Sequence, residues 1–318
     1  MRRRLLIAAL LAPAIAARAQ VPREEYAARR AALAARLPDS AVLIALGARE
    51  PREDYVTFVQ APDFWYLTGF LEADADLLLV KRGARVSATM FVLPRDLAIE
   101  MWTGPRAGLD SAAARSGLAT QRVGEFRSAL DSAIAGAKSI YVVGDLDAGA
   151  ALSADDQFVE SLEREHPGLI IVNAAVVVDS LRSRKSAAEL ALLRRAIGIT
   201  VRAESAAMRT VAPDLPEYRV QAVIEETFRW DGAERPGFAT IVGSGPNATS
   251  LHHAAGDRAM RAGELVVMDI GASFGGYSAD VTRTVPVSGT FTAEQHALYQ
   301  VVRDAQAAAE RAAVLNAN

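Results

Sequence analysis

Leu265-Val-Val-Met-Asp269-Ile-Gly-Ala-Ser-Phe-Gly-Gly-Tyr-Ser-Ala-Asp280-Val-Thr-Arg-Thr284 places two aspartates inside apolar, β-favouring runs, where a charge is ordinarily unwelcome. Gly275-Gly276 between the runs is a hairpin turn signal. The strands it joins pair antiparallel, and Asp269 and Asp280 become diagonal neighbours on one face, roughly 7 Å apart. Two like charges at that distance repel by ~2 kcal/mol at an effective dielectric of ~20. A shared proton or a bound cation would relieve this. The cation is favoured, because hard carboxylate oxygens suit Mn, Mg or Zn, and paired carboxylates in hydrolases bridge two metals roughly 3.5–4 Å apart. The competing reading is a hairpin with one aspartate turned to solvent, and spacing alone leaves both open.

Outward from this segment, the chain of 318 residues begins with Arg2-Arg3-Arg4, an apolar stretch from Leu5 to Ala17, and Ala17-Arg18-Ala19 before Gln20. That pattern predicts a secretory signal over 1–19, cleaved near Ala19. A membrane anchor fits less well, since the stretch contains Pro13 and falls short of the about 20 apolar residues a span needs. The Arg- and Ala-rich composition points to a bacterial, hence periplasmic or secreted, product with no membrane attachment after cleavage. Cysteine is absent, so disulfides, thiolate ligands and a cysteine nucleophile are excluded. The formal charge is −3, and loss of the four signal arginines would leave about −7, which argues against a nucleic-acid partner.

An α/β organisation follows from the patterning. A helix is expected over 22–36, then buried strands over 41–46, 76–81, 89–93, 139–143 and 168–173, with helices over 109–118, 122–137 and 154–165 between the later strands. This alternation predicts a mixed α/β domain over 20–179. The second domain, 180–318, opens with Ser186 and Glu189 as a capping box for a helix bearing Leu190, Leu193, Ile197 and Val201. A second helix over 217–230, a strand over 239–242, the turn Gly243-Ser-Gly-Pro-Asn247, His252-His253 and the aspartate hairpin follow. Thr292 and Gln295 cap a last helix. Trp65 and Tyr66 are expected in the core.

Three segments in this order, Ile241-Val-Gly-Ser-Gly-Pro-Asn-Ala-Thr-Ser-Leu-His252, Leu265-Val-Val-Met-Asp269-Ile-Gly and Tyr277-Ser-Ala-Asp280-Val-Thr-Arg-Thr284, resemble the pita-bread metallopeptidases. Upstream, Asp63-Phe-Trp-Tyr-Leu-Thr-Gly-Phe70 and Met101-Trp-Thr-Gly-Pro-Arg106 are similar to the N-terminal domain of the aminopeptidase P family. The resemblance implies an Xaa-Pro aminopeptidase whose two metals, usually Mn2+, activate water for attack on the carbonyl before proline. It implies Asp269 and Asp280 as metal ligands, with Asp280 bridging, and His252 as a catalytic, substrate-facing residue that does not bind metal. Trp102 is implied in substrate binding, facing the active site of a neighbouring subunit in a homo-oligomer. His253 reads as structural.

In the family a histidine and two glutamates further along complete the metal site. Here 38 residues follow Asp280, and their histidine, His296, and their glutamates, Glu294 and Glu310, lie on the last helix. The expectation is therefore the first half of an α+β pita-bread domain, a fragment inactive by itself. A prolidase-like dipeptidase and a metal-free, non-enzymatic binding module are the alternatives.

Overall fold

Val42–Leu46 is buried along its whole length, and its alternate side chains feed two different cores. This strand, β1, organises the first of two units into which the chain divides, Val21–Ser186 and Ala187 onward. The structure, a computed structural model, describes residues 21–53, 56–146 and 152–315, so the expected signal over 1–19 lies outside the described residues.

The first unit runs α1 (Arg23–Ala35), β1, α2 (Pro62–Thr68), β2 (Asp76–Arg82), β3 (Arg85–Val92), α3 (Leu97–Thr103), α4 (Gly108–Ser116), β4 (Ala119–Arg122), α5 (Phe126–Ile134), β5 (Ser139–Val143), α6 (Ala154–Glu165), β6 (Ile170–Asn173) and α7 (Ala175–Arg182). Its mixed sheet has the order β4-β3-β2-β1-β5-β6. β1 pairs antiparallel with β2 and parallel with β5. Leu43 and Ala45 pack with Leu33, Phe64, Leu67 and Val178 from α1, α2 and α7. Val42, Ile44 and Leu46 pack on the other face with Phe126, Leu130 and Leu162 from α5 and α6. A central strand covered by helices on both faces reads as a continuous apolar run for this reason.

Several expectations are adjusted. β6 is not a buried strand: Ile170 is exposed and the two residues after it are only half-buried, because β6 is the sheet edge. α2, α3 and α7 are helices that periodicity did not indicate, being only seven or eight residues long. By contacts the first unit runs to Ser186, with Leu181 of α7 packed against the first core.

The second unit comprises α8 (Ala187–Thr210), α9 (Glu217–Trp230), β7 (Arg235–Pro236), β8 (Ile241–Ser244), β9 (Leu265–Ile270), β10 (Ala272–Phe274), β11 (Tyr277–Ser278), β12 (Val281–Pro286) and α10 (Ala293–Ala312). Two antiparallel three-stranded sheets result, β12-β9-β8 and β11-β10-β7. Gly275 and Gly276 both adopt positive φ, 59° and 77°, as the expected hairpin turn requires. α8 holds the hairpin: Thr200 Oγ1 accepts from the Ala272 N–H at 2.9 Å, and Tyr277 donates its hydroxyl to Glu189 at 2.8 Å.

The buried stripe of α8 is Leu192, Ala196, Ile199 and Ala203. The expected stripe fails: Leu190, Ile197 and Val201 are exposed and Leu193 is half-buried. Both faces of α8 are apolar, so periodicity alone could not choose between them. α10 starts at its capping box, where Thr292 and Gln295 exchange side-chain to backbone bonds. It carries no buried residue, and His296, Glu294 and Glu310 are exposed on it. Among the described residues no helix is long and apolar enough to cross a membrane.

Candidate metal centre

β9 is the middle strand of its sheet, and Asp269 is paired on both sides, opposite Ile241 of β8 and Thr282 of β12. Val266, Met268 and Ile270 are buried while Leu265, Val267 and Asp269 are half-buried, the alternation of a strand with two unlike faces. The Ile270–Val281 pair and the Ala279 N–H to Ala272 O bond carry one register through the break between the two sheets. That register sets Asp280 opposite Gly271 and diagonal to Asp269.

Gly271 makes the break feasible. A Cβ built on it would stand 1.9 Å from the Ala279 carbonyl oxygen and 2.7 Å from the Phe238 ring. No larger residue fits where the two strands close.

Oδ1 of Asp269 is sealed from solvent and has no hydrogen-bond partner. Burial pushes the Asp280 carboxyl above its ordinary range, and the charge of Asp269 and a hydrogen bond shared with it push the same way. An orphaned buried oxygen beside a second carboxyl suits a hard divalent cation. The residues fit such a metal as two ligands. Among the described residues no group of three or more His, Cys, Asp or Glu converges on a metal position.

His252 joins them. Phe238, Ala239, Ile241, His252, His253, Ala254, Asp269 and Asp280 line one cavity of about 400 Å³. The loop carrying His252 leaves β8 through a 3-10 turn, Gly245–Thr249, and returns to bridge Ala254 with Ile241. His252 is exposed on this loop, whereas His253 is half-buried and bonds Glu217 Oε2 at 2.8 Å, a structural engagement. Trp102 is not among the residues lining this cavity; it lies on α3 of the first unit, 85 % exposed.

Two acids escaped sequence reasoning. Glu204 on α8 is 4 % exposed with neither oxygen hydrogen-bonded. Burial, reinforced by Asp269 and opposed by Arg283, lifts its carboxyl to about 8. Glu217 begins α9 and is wholly buried. An acid in the first turn of a helix is ordinarily a solvated residue favouring the dipole, so no sequence signal separates it from its exposed counterparts.

Comparison with known proteins shows what the chain is similar to. Residues 191–316 match metallopeptidase family M24, and residues 26–141 match the aminopeptidase P N-terminal domain. The Xaa-Pro aminopeptidase of Escherichia coli strain K12 is 34 % identical over 295 residues, covering 89 % of this chain and 66 % of the relative. That of Haemophilus influenzae is 32 % identical over 292 residues, covering 91 % and 66 %. A substituted Escherichia coli aminopeptidase P solved in complex with substrate superposes with a TM-score of 0.81 at 32 % identity, covering 90 % of this chain and 67 % of that one. The zinc-substituted form of the same protein with product gives the same values. The chain spans just under two thirds of the length of these curated relatives.

Proposed function

The chain belongs to metallopeptidase family M24, and we propose that it serves metal-dependent release of the N-terminal residue from peptides with proline in second position. The observation that carries this reading is the convergence of His252, Asp269 and Asp280 on one cavity. The names of its relatives supply the reaction class.

Asp269 and Asp280 would hold divalent metal, manganese in our reading. A bound cation there supplies Lewis acidity and makes water nucleophilic near neutral pH. Protons and the cation would compete for the Asp280 carboxyl, which lies above its ordinary range, so metal affinity would weaken in acid. Exposed at the cavity wall, His252 donates to the substrate carbonyl and steadies the charge that develops on it. Phe238 and Ile241 offer an apolar wall to the proline ring.

Trp102 we assign to substrate binding from a neighbouring subunit of a homo-oligomer, supported by α3, which exposes Leu97, Met101 and Trp102 and buries nothing. Export we infer from Arg2-Arg3-Arg4, the apolar stretch and Ala17-Arg18-Ala19. N-terminal sequencing of periplasmic material checks it, and an intact Met1 in the membrane fraction would refute it.

The decisive experiment compares Xaa-Pro and Xaa-Ala tripeptides, with Mn2+, in the gene product that carries this chain. Equal rates on the two series would overturn the assignment. The described residues bring two carboxylates to this cavity, where oxygen-rich sites gather about six ligands per metal, so residues 1–318 alone should bind Mn2+ weakly and turn over no peptide.

A further inference from the structure

Glu217, the first residue of α9, draws nearly all its hydrogen bonds from one loop. Oε1 accepts from the Ser244 N–H at 2.7 Å, from Ser244 Oγ at 2.7 Å and from Asn247 Nδ2 at 3.1 Å. Oε2 accepts from His253 Nε2 at 2.8 Å, from Asn247 Nδ2 at 3.2 Å and from the Gly256 N–H at 3.4 Å. The backbone repeats the pattern: the Glu217 N–H donates to Arg258 O at 3.1 Å and the Tyr218 N–H to Gly256 O at 3.0 Å. Arg258 then ties the loop to the start of β9, bonding Ser244 Oγ at 2.7 Å and Glu264 Oε2 at 2.8 Å.

A carboxylate taken wholly out of water is expensive unless its lone pairs are engaged. Burial would raise the Glu217 carboxyl, yet the bonds from Ser244, His253 and Asn247 outweigh it and hold it below the usual carboxylate range. The helix N-terminus favours the same charge. A buried ion of this kind is a poor source of stability, since an apolar replacement often serves the fold as well. What it adds is direction, because charge-assisted bonds are short and geometrically demanding. Every side-chain donor to Glu217 lies in residues 244–256, the segment that carries His252.

We propose that Glu217 is the positioning residue of this loop: by anchoring Ser244, Asn247, His253 and Gly256 it holds His252 at the cavity of Asp269 and Asp280. Glu217 does not line that cavity and acts through the loop. The inference rests on the reading of His252 as the substrate-facing histidine.

The test uses Glu217→Gln, which keeps the size but turns one acceptor into a donor, and Glu217→Asp, which keeps the charge but shortens the reach. Amide hydrogen exchange and long-range 1H–15N imidazole spectra are recorded on the 318-residue chain. In E217Q the Ser244 and Gly256 amides should exchange at least ~10-fold faster relative to those of α8, and the His253 Nε2 resonance should move from its position in the parent. E217D should fall between the variant and the parent. Exchange that rises uniformly through α8, α9 and β9, or a loop no faster than in the parent, would reduce Glu217 to a fold residue and overturn the proposal. Should E217Q not fold, the same comparison on E217D decides. If the loop loosens in E217Q but His252→Ala leaves Xaa-Pro hydrolysis by the gene product intact, the reading of His252 fails and the loop is anchored for no catalytic end.

Discussion

Gly271 and Ala279 approach across the hairpin so closely that any Cβ on the glycine would stand 1.9 Å from the alanine carbonyl oxygen. This closure lies between Asp269 and Asp280, so the spacing of the two carboxylates depends on it. Gly271→Ala should force the strands apart and destabilise the chain by about 1–3 kcal/mol, the usual range for overpacking. Urea unfolding checks the stability, and loss of Mn2+ response in the gene product should accompany it.

The repulsion between Asp269 and Asp280 predicts a trade of stability against binding. Asp280→Asn removes one charge, and because Asp280 is exposed the gain in metal-free stability should be no more than ~1 kcal/mol. The same substitution should abolish the rise in Tm that Mn2+ produces in the gene product, since a ligand stabilises only the state that binds it. A metal-induced shift that survives D280N would remove Asp280 from the site.

Glu204 predicts a pH dependence with a definite sign. Its folded-state pKa is raised to about 8 from an ordinary 4.5. Between those values the unfolded chain has released the proton while the folded chain retains it, so stability falls as pH rises. The slope is at most ~1.4 kcal/mol per pH unit and flattens above about 8. Glu204→Gln should flatten the curve over this window and be more stable than the parent at pH 8. Thermal melts from pH 5 to 9 give the comparison, and parallel curves would contradict the assignment.

His252 and His296 are both exposed, but only His252 lines the cavity. In the gene product with Mn2+, His252→Ala should lower kcat/KM on Xaa-Pro peptides by ~10² or more, the range for losing one donor to a developing oxyanion. His296→Ala should leave it within twofold. Equal effects of the two substitutions would mean that the cavity is not where the substrate sits.

Much of the candidate site is legible in the order of residues, because the interactions that specify it are local. Gly275-Gly276 admits the positive φ of a two-residue turn, that turn sets the register, and the register makes Asp269 and Asp280 diagonal neighbours. Thr292 with Gln295 marks the start of α10 by a bond pattern three residues long, and α9 runs over 217–230 as its apolar spacing indicates.

Other features depend on what the chain meets in space. Leu190, Ile197 and Val201 form as good a stripe on paper as Leu192, Ala196, Ile199 and Ala203, and only the packing of α8 against its sheets selects the second. Glu217 and Glu204 are both helical acids with nothing to mark them as buried. Tertiary structure surrounds one with the donors of a loop about 30 residues away and leaves the other with none. Local sequence determines turns, caps and register because these arise within a few bonds of one another; burial of a charge is settled only where distant segments meet and exclude water.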